Sequence, residues 1–248
     1  MTNQIWLLIV GAMVAGFVQG LSGFAFGMVA MSIWVWGVEP HLAAVMAVFG
    51  GLTGQVFSVI TARRGLRMAA LWPLLAGAVV GIPIGVAVLP LLNPALFKLT
   101  LGLLLMVFCP AMLMAQRFPR IQFGGRLADG VAGAAGGVMG GIGGFTGVIP
   151  TLWLTLRGLD KETQRSLIQN FNLAALSMTM ATYLFTGVVT REMLPLFALV
   201  APALIIPSLL GARLYVGLSE SSFRRVVLTL LTVSGVTMVV SSLSSLLR

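Results

Sequence analysis

Gly140-Gly-Ile-Gly-Gly-Phe-Thr-Gly147 interrupts the apolar stretch Gly130–Leu156, and Gly20-Leu-Ser-Gly-Phe-Ala-Phe-Gly27 interrupts Ile5–Trp36. Each stretch is too long for one upright crossing of a ~30 Å hydrocarbon core and too short for two, because a crossing takes about 20 residues. Glycine at this density lets the backbone turn or approach a neighbour closely. The reading is a hairpin inside the membrane, with two arms of roughly 13 to 15 residues, each about 20 Å long. The outgoing short helices are expected to start near Phe24 and Phe145.

The rest of the chain fits a membrane setting. Of its 248 residues, 58% are hydrophobic and only 8% are charged, which excludes an aqueous globule. Three full spans follow the first hairpin, at about Pro40–Thr61, Leu66–Leu92 and Pro94–Met114. Pro40 and Pro94 suit the first helical position and Asn93 suits an N-cap. After the second hairpin come spans at about Glu162–Phe185, Met193–Val216 and Ser221–Leu246. The expected organisation is one all-α integral membrane domain: residues 1–116 as a first repeat, 117–129 as a cytoplasmic linker and 130–248 as a second repeat. No basic segment or small-residue cleavage site precedes the first apolar run, so no removable signal peptide is expected.

Echoes between the halves support a duplication. Ala15-Gly16 matches Ala132-Gly133, Gly37-Val-Glu39 matches Gly158-Leu-Asp160, and Leu71-Trp-Pro73 matches Leu194-Pro195. The charges choose the threading. If each broken element crossed once, Lys and Arg would divide almost evenly between the two faces. If each returns to its own side, Arg63, Arg64, Arg67, Arg117, Arg120, Arg126, Arg157, Lys161, Arg165, Arg213, Arg224 and Arg225 share one face. Only Lys98, Arg191 and Arg248 lie opposite. That bias is the one cytoplasmic loops carry. It makes the halves inverted in topology, with both termini outside. It also accounts for the net charge of +9 without a nucleic-acid partner.

The two breaks form the candidate site. With inverted halves, one hairpin enters from each side and the tips approach the midplane, where irregular backbone is tolerated only around protein or a watery cavity. The free N–H groups and positive ends of the two outgoing helices would face the centre and suit an anion. Gly20, Gly23, Gly27, Gly140, Gly141, Gly143 and Gly144 would admit a ligand close to the backbone, and Ser22 and Thr146 would add hydroxyl donors. Gly16, Gly133, Gly136 and Gly137 read instead as helix-packing positions. Gln19, Gln55, Gln169, Asn170 and Asn172 are either amide donors around an oxyanion or interhelical hydrogen bonds, the latter worth roughly 0.6 kcal/mol each.

The remaining chemistry is sparse. Glu39, Asp129, Asp160, Glu162, Glu192 and Glu220 sit at loops or span ends, with Asp129 and Asp160 expected as helix caps. His41 is the sole histidine and lies at a boundary. Without an intramembrane acid or histidine, a proton relay carried by the protein is not expected. Cys109 is the only cysteine, which excludes an intramolecular disulfide and reads as packing. No metal site, cofactor or catalytic constellation is expected, so the chain is not read as an enzyme.

The run Val131-Ala-Gly-Ala-Ala-Gly-Gly-Val-Met-Gly-Gly-Ile-Gly-Gly-Phe-Thr-Gly-Val-Ile-Pro150 resembles the glycine-rich signature of the TauE/SafE sulfite exporters, also called toluene sulfonate uptake permeases. Phe145 stands where the usual form has a further glycine. The first-half copy is similar to a branch of the family with a Gly-Leu-Ser-Gly-Phe-Gly-Phe-Gly form. The resemblance covers essentially the whole chain. It implies a multi-pass protein of the bacterial cytoplasmic membrane, acting on sulfite, organosulfonates or related small anions.

The combined expectation is a secondary transporter of a small organic or sulfur-containing anion, with an anion channel as the alternative. Phe24, Phe26 and Phe145 would flank the anion, with Phe24 and Phe26 closing on its apolar part. Gln55, Asn170 and Asn172 would donate to its oxygens. Partners are the anion and the lipid bilayer. Cysteines placed at Arg64 and Lys161 should react with an impermeant thiol reagent from the same side of the membrane. Labelling from opposite sides would refute the hairpin threading.

Overall fold

The structure, a computed structural model, describes residues 2–22, 25–61, 67–121, 123–214 and 220–246. These residues form ten α-helices and no strand: α1 (Thr2–Ser22), α2 (Phe26–Trp34), α3 (Pro40–Thr61), α4 (Met68–Val88), α5 (Pro94–Met114), α6 (Gly125–Gly143), α7 (Val148–Leu156), α8 (Lys161–Phe185), α9 (Leu194–Leu214) and α10 (Glu220–Leu246). Six of them are long and apolar enough to cross a membrane: α1, α3, α4, α5, α9 and α10. α8 is long as well, at 25 residues, but Lys161, Glu162, Arg165, Gln169, Asn170 and Asn172 dilute its apolar character. Its polar Thr163, Ser166, Gln169, Asn172 and Thr179 are buried against protein, where membrane proteins keep such groups.

Helix starts follow local chemistry. Asn93 accepts a hydrogen bond from the Leu96 N–H at 2.8 Å, and Asp160 accepts one from the Thr163 N–H at 2.9 Å. Those bonds occupy donors that an N-terminus leaves without intrahelical partners. Bonding to Thr163 also holds the exposed Asp160 carboxyl below its ordinary range.

The broken elements differ from the expected pair of equal arms. α1 has 21 residues and α6 has 19, whereas α2 and α7 have 9 each. The incoming arms are thus close to 30 Å long and the returning arms about 13 Å. α6 starts at Gly125, inside the expected linker, and stays helical through most of its glycine cluster. It ends only at Gly144, in the left-handed region at φ 75°. The returning helices accordingly begin at Phe26 and Val148.

Both elements double back. Near the end of α2, Trp34 Nε1 donates to the carbonyls of Leu7 at 3.0 Å and Leu8 at 3.3 Å, near the start of α1. Past the end of α7, Arg157 Nη1 donates to Asp129 Oδ1 at 2.7 Å and Oδ2 at 2.9 Å. Trp153 Nε1 donates to the same carboxylate at 2.7 Å. Asp129 is therefore neither a cap nor at a loop. It is buried one turn inside α6, where Arg157 compensates its charge.

Glycine sets the helix pairing. Gly77, Gly81 and Gly85 recur every fourth residue on α4 and face the carbonyls of Gly130, Ala134 and Val138 on α6. In return, Gly133, Gly137 and Gly141 of α6 face the backbone at Leu74, Ala78 and Ile82. In the same way Gly16 and Gly20 of α1 lie on the backbone of Leu204 and Ser208 in α9. Gly102 of α5 faces Gly235 of α10. Exchanging the two halves turns the α1–α9 pair into α6–α4 and leaves the α5–α10 and α3–α8 pairs unchanged. A Cβ at Gly81 would fall on the Ala134 carbonyl. Gly81→Leu should destabilise the protein by about 2 kcal/mol or more, read as a lower unfolding temperature in detergent. Val80→Leu, on the adjacent exposed position, should leave that temperature unchanged.

Candidate functional site

The two breaks share a backbone device. Ala25 (φ 79°, ψ 4°) and Gly144 (φ 75°, ψ 17°) both adopt the left-handed conformation. Aligning them pairs Phe26 with Phe145 and Trp34 with Trp153, a register one residue away from matching Gly20 with Gly140. Glycine takes this conformation at little cost, whereas alanine incurs about 1–2 kcal/mol of steric strain. Ala25 is the only non-glycine residue with positive φ among those described.

The breaks also touch. A Cβ on Gly27 would lie 3.0 Å from the Gly144 carbonyl oxygen. The middle of α3 makes room for them. Gly50 faces the Phe26 ring, Gly54 faces the Gln19 amide, and Gly144 lies on the backbone of Ala47 and Val48. Phe26 in turn packs edge-on to Trp34, with ring centroids 6.1 Å apart.

Between the breaks lies a small cavity of about 40 Å³ that opens to the outside. Its wall takes Ala25–Met28 from the first turn of α2 and Gly144–Val148 from the turn entering α7. Gln19 of α1, Gly51 and Gln55 of α3, Phe108 of α5, and Asn172 and Leu176 of α8 complete it. Among the described residues, no charged side chain lines it. The polar side chains are Gln19, Gln55, Thr146 and Asn172, and all four are buried.

The electrostatics follow from which helix ends are already satisfied. The carbonyl end of α6 is closed by its own chain: Gly144 N–H donates to Gly140 O at 2.8 Å and Phe145 N–H to Met139 O at 3.3 Å. Tyr183 Oη donates to Gly141 O at 2.7 Å. The amino ends of α2 and α7 at this wall favour negative charge, although the Val148 N–H is engaged by Phe145 O at 3.2 Å and Pro150 has no N–H. Thr146 Oγ1 donates to Asn172 Oδ1 at 3.0 Å. Its proton is thus used within the protein, and Asn172 Nδ2 is left as the donor of the pair.

Of the expected site residues, Gln19, Phe26, Gly27, Gln55, Gly144, Phe145, Thr146 and Asn172 meet at this cavity. Asn170 does not, because its amide donates to Ser166 O at 2.9 Å within α8. Gln169 instead bridges α8 to α3 through Ser58 Oγ at 2.9 Å. Gly20 and Gly141 are packing positions against α9 and α4, while Gly140 and Gly143 face the Thr146 methyl and the Phe145 ring. The Ser22 side chain, Gly23 and Phe24 lie outside the described residues. Met28, Gly51, Phe108, Val148 and Leu176 were not singled out by sequence reasoning, whereas Ala25 and Gly147 lie within the two glycine-rich breaks that were. Gly51 and Gly147 had a signal in their glycine clusters, and Phe108 had none.

A family model described as "Sulfite exporter TauE/SafE" matches residues 8–238. The chain belongs to the TauE/SafE sulfite exporter family. No curated protein and no solved structure matches it. Membership makes it a multi-pass membrane protein of a sulfite or anion exporter class, in keeping with its apolar helices. In this TauE/SafE chain the second hairpin is clasped by Asp129 and Arg157, with side chains 11% and 28% exposed. Asp129→Asn should lower stability by about 1–2 kcal/mol, the partial exposure of Arg157 softening the loss. Adding Arg157→Gln should restore part of it, as read by thermal unfolding of the single and double variants.

Proposed function

We propose that this TauE/SafE protein is a secondary transporter of a small organic or sulfur-containing anion, such as sulfite, an organosulfonate or a related carboxylate. Its place is the bacterial cytoplasmic membrane. The observation that carries this reading is the shared cavity, walled by the first turn of α2 and the turn entering α7 and furnished with neutral amides. Helix amino ends and amides bind oxyanions without a fixed cationic partner. Such a site can release its guest as readily as it takes it up.

The halves are proposed to be inverted, so that the hairpins enter from opposite faces. The exchange symmetry of the helix pairs supports this, as does the one-sided distribution of Lys and Arg that this threading produces. Alternating access then follows if the hairpins rock against the α3–α5 and α8–α10 bundles. Each hairpin is tied across its own base, by Trp34 to Leu7 and Leu8 and by Asp129 to Arg157, as suits a rigid moving unit. An inside-negative potential favours outward movement of one negative charge by about 2.3 kcal/mol per 100 mV. Export therefore needs no coupled ion.

In reconstituted vesicles, labelled sulfite should show saturable uptake and accelerated exchange against sulfite on the opposite side. Gly27→Val, which crowds the contact between the breaks, should cut flux roughly 100-fold while the protein still inserts. Non-saturating flux carried as large single-channel currents would replace the carrier with a channel. Absence of any anion flux would refute the reading.

A further inference from the structure

The chemistry of the cavity is more selective than a site for any anion, and its odd member is Gln19. This side chain is 4% exposed and lines the cavity. Its Nε2 makes a long contact of 3.5 Å to the Gly51 carbonyl. Its Oε1 is buried with no hydrogen-bond partner among the described residues. Rotating the amide by half a turn would set Oε1 against the Gly51 oxygen, acceptor to acceptor. With Nε2 turned to Gly51, the atom left over is an acceptor. A buried acceptor without a donor is costly, and a bare oxyanion offers no donor to satisfy it.

Charge narrows the guest further. No charged side chain lines the cavity among the described residues, so positive potential comes from the two helix amino ends. At no more than about half an elementary charge each, they sum to about one at most. A monoanion is matched. A dianion brings about four times the Born desolvation cost of a monoanion and finds no further compensation.

We infer that the cavity selects a monoanion carrying its own hydrogen-bond donor, which donates to Gln19 Oε1 while helix N–H groups and the Asn172 amide hold the anionic oxygens. Hydrogensulfite and hydroxysulfonates fit this description; the sulfite dianion, sulfate and simple alkanesulfonates do not. This rests on the anion-transport reading above and sharpens it to a substrate class.

The test compares pairs that differ only in the donor. Binding of hydroxymethanesulfonate against methanesulfonate, and of 2-hydroxyethanesulfonate against ethanesulfonate, is measured on the purified full chain by calorimetry. Sulfate serves as the dianion. In at least one pair the hydroxylated member should bind about tenfold tighter, the worth of one hydrogen bond to a buried acceptor. Both members of that pair should bind more tightly than sulfate. In Gln19→Met the advantage of the hydroxyl should vanish. Equal affinities within both pairs in the natural protein, or sulfate binding as tightly as the monoanions, overturns the inference while leaving anion transport standing. A hydroxyl advantage that persists in Gln19→Met also overturns it. If no anion binds or moves at all, the transport reading falls and this one with it. The comparison on the natural protein decides the matter even if the variant does not fold.

Discussion

Close approach of helix backbones at glycine is the constraint from which the rest of the architecture follows. Lipid gives two apolar helices no hydrophobic reason to associate, so pairing relies on surface fit and small residues. The α4–α6 pair meets this with two interleaved glycine rows, Gly77, Gly81 and Gly85 against Gly133, Gly137 and Gly141. This packing also explains how α6 remains a helix. A glycine in a helix interior costs about 1 kcal/mol relative to alanine, and α6 carries several. Contacts that only glycine permits offset that cost until Gly144, which faces the backbone of α3 in a left-handed turn. The chain breaks there, deep along α6, and the short returning arm begins at the cavity.

The cavity can stay neutral because the charge is kept elsewhere. Asp129 and Arg157 neutralise each other at the base of the second hairpin, away from the cavity wall. Lys98, a basic residue within α5, lies 3.5 Å above the Trp36 ring and donates to Ser241 at 2.9 Å. An arginine or lysine inside the cavity would bind an anion tightly and slow its release. Amides and helix ends would bind it less tightly, as the proposed transport cycle requires.

The sequence made the helix boundaries legible where capping chemistry set them. α3 at Pro40–Thr61 and α5 at Pro94–Met114 have the expected limits, because Pro40, Asn93 and Pro94 mark their starts. The glycine clusters announced breaks but not where they fall. Glycine in a membrane helix serves turns and tight packing alike, and only the partner helix distinguishes the two. Gly20 and Gly141 therefore read as site residues yet lie against α9 and α4. Asn170 and Asn172 were indistinguishable by composition. Helical phase separates them: Asn172 faces Thr146 and Asn170 turns back on Ser166. Asp129 read as a cap because its partner, Arg157, is brought near only when the hairpin folds. Phe108 reaches the cavity through tertiary packing of α5, which no local pattern encodes.

The halves are alike in plan and unlike in chemistry at the breaks. The second half closes its turn with Gly144, free of strain, and supplies the Thr146–Asn172 pair that presents a donor. The first half closes with Ala25, in a conformation that alanine resists, and supplies Gln19, whose free atom is an acceptor. A guest held between them, as inferred above, would meet donors on one side and an acceptor on the other. A spherical anion cannot answer both, but an anion with a protonated or hydroxylated end can, in one orientation. The exchange symmetry of the helix pairs thus sets the frame, and a few residues at its centre, Ala25 against Gly144 and Gln19 against the Thr146–Asn172 pair, make its two sides chemically different.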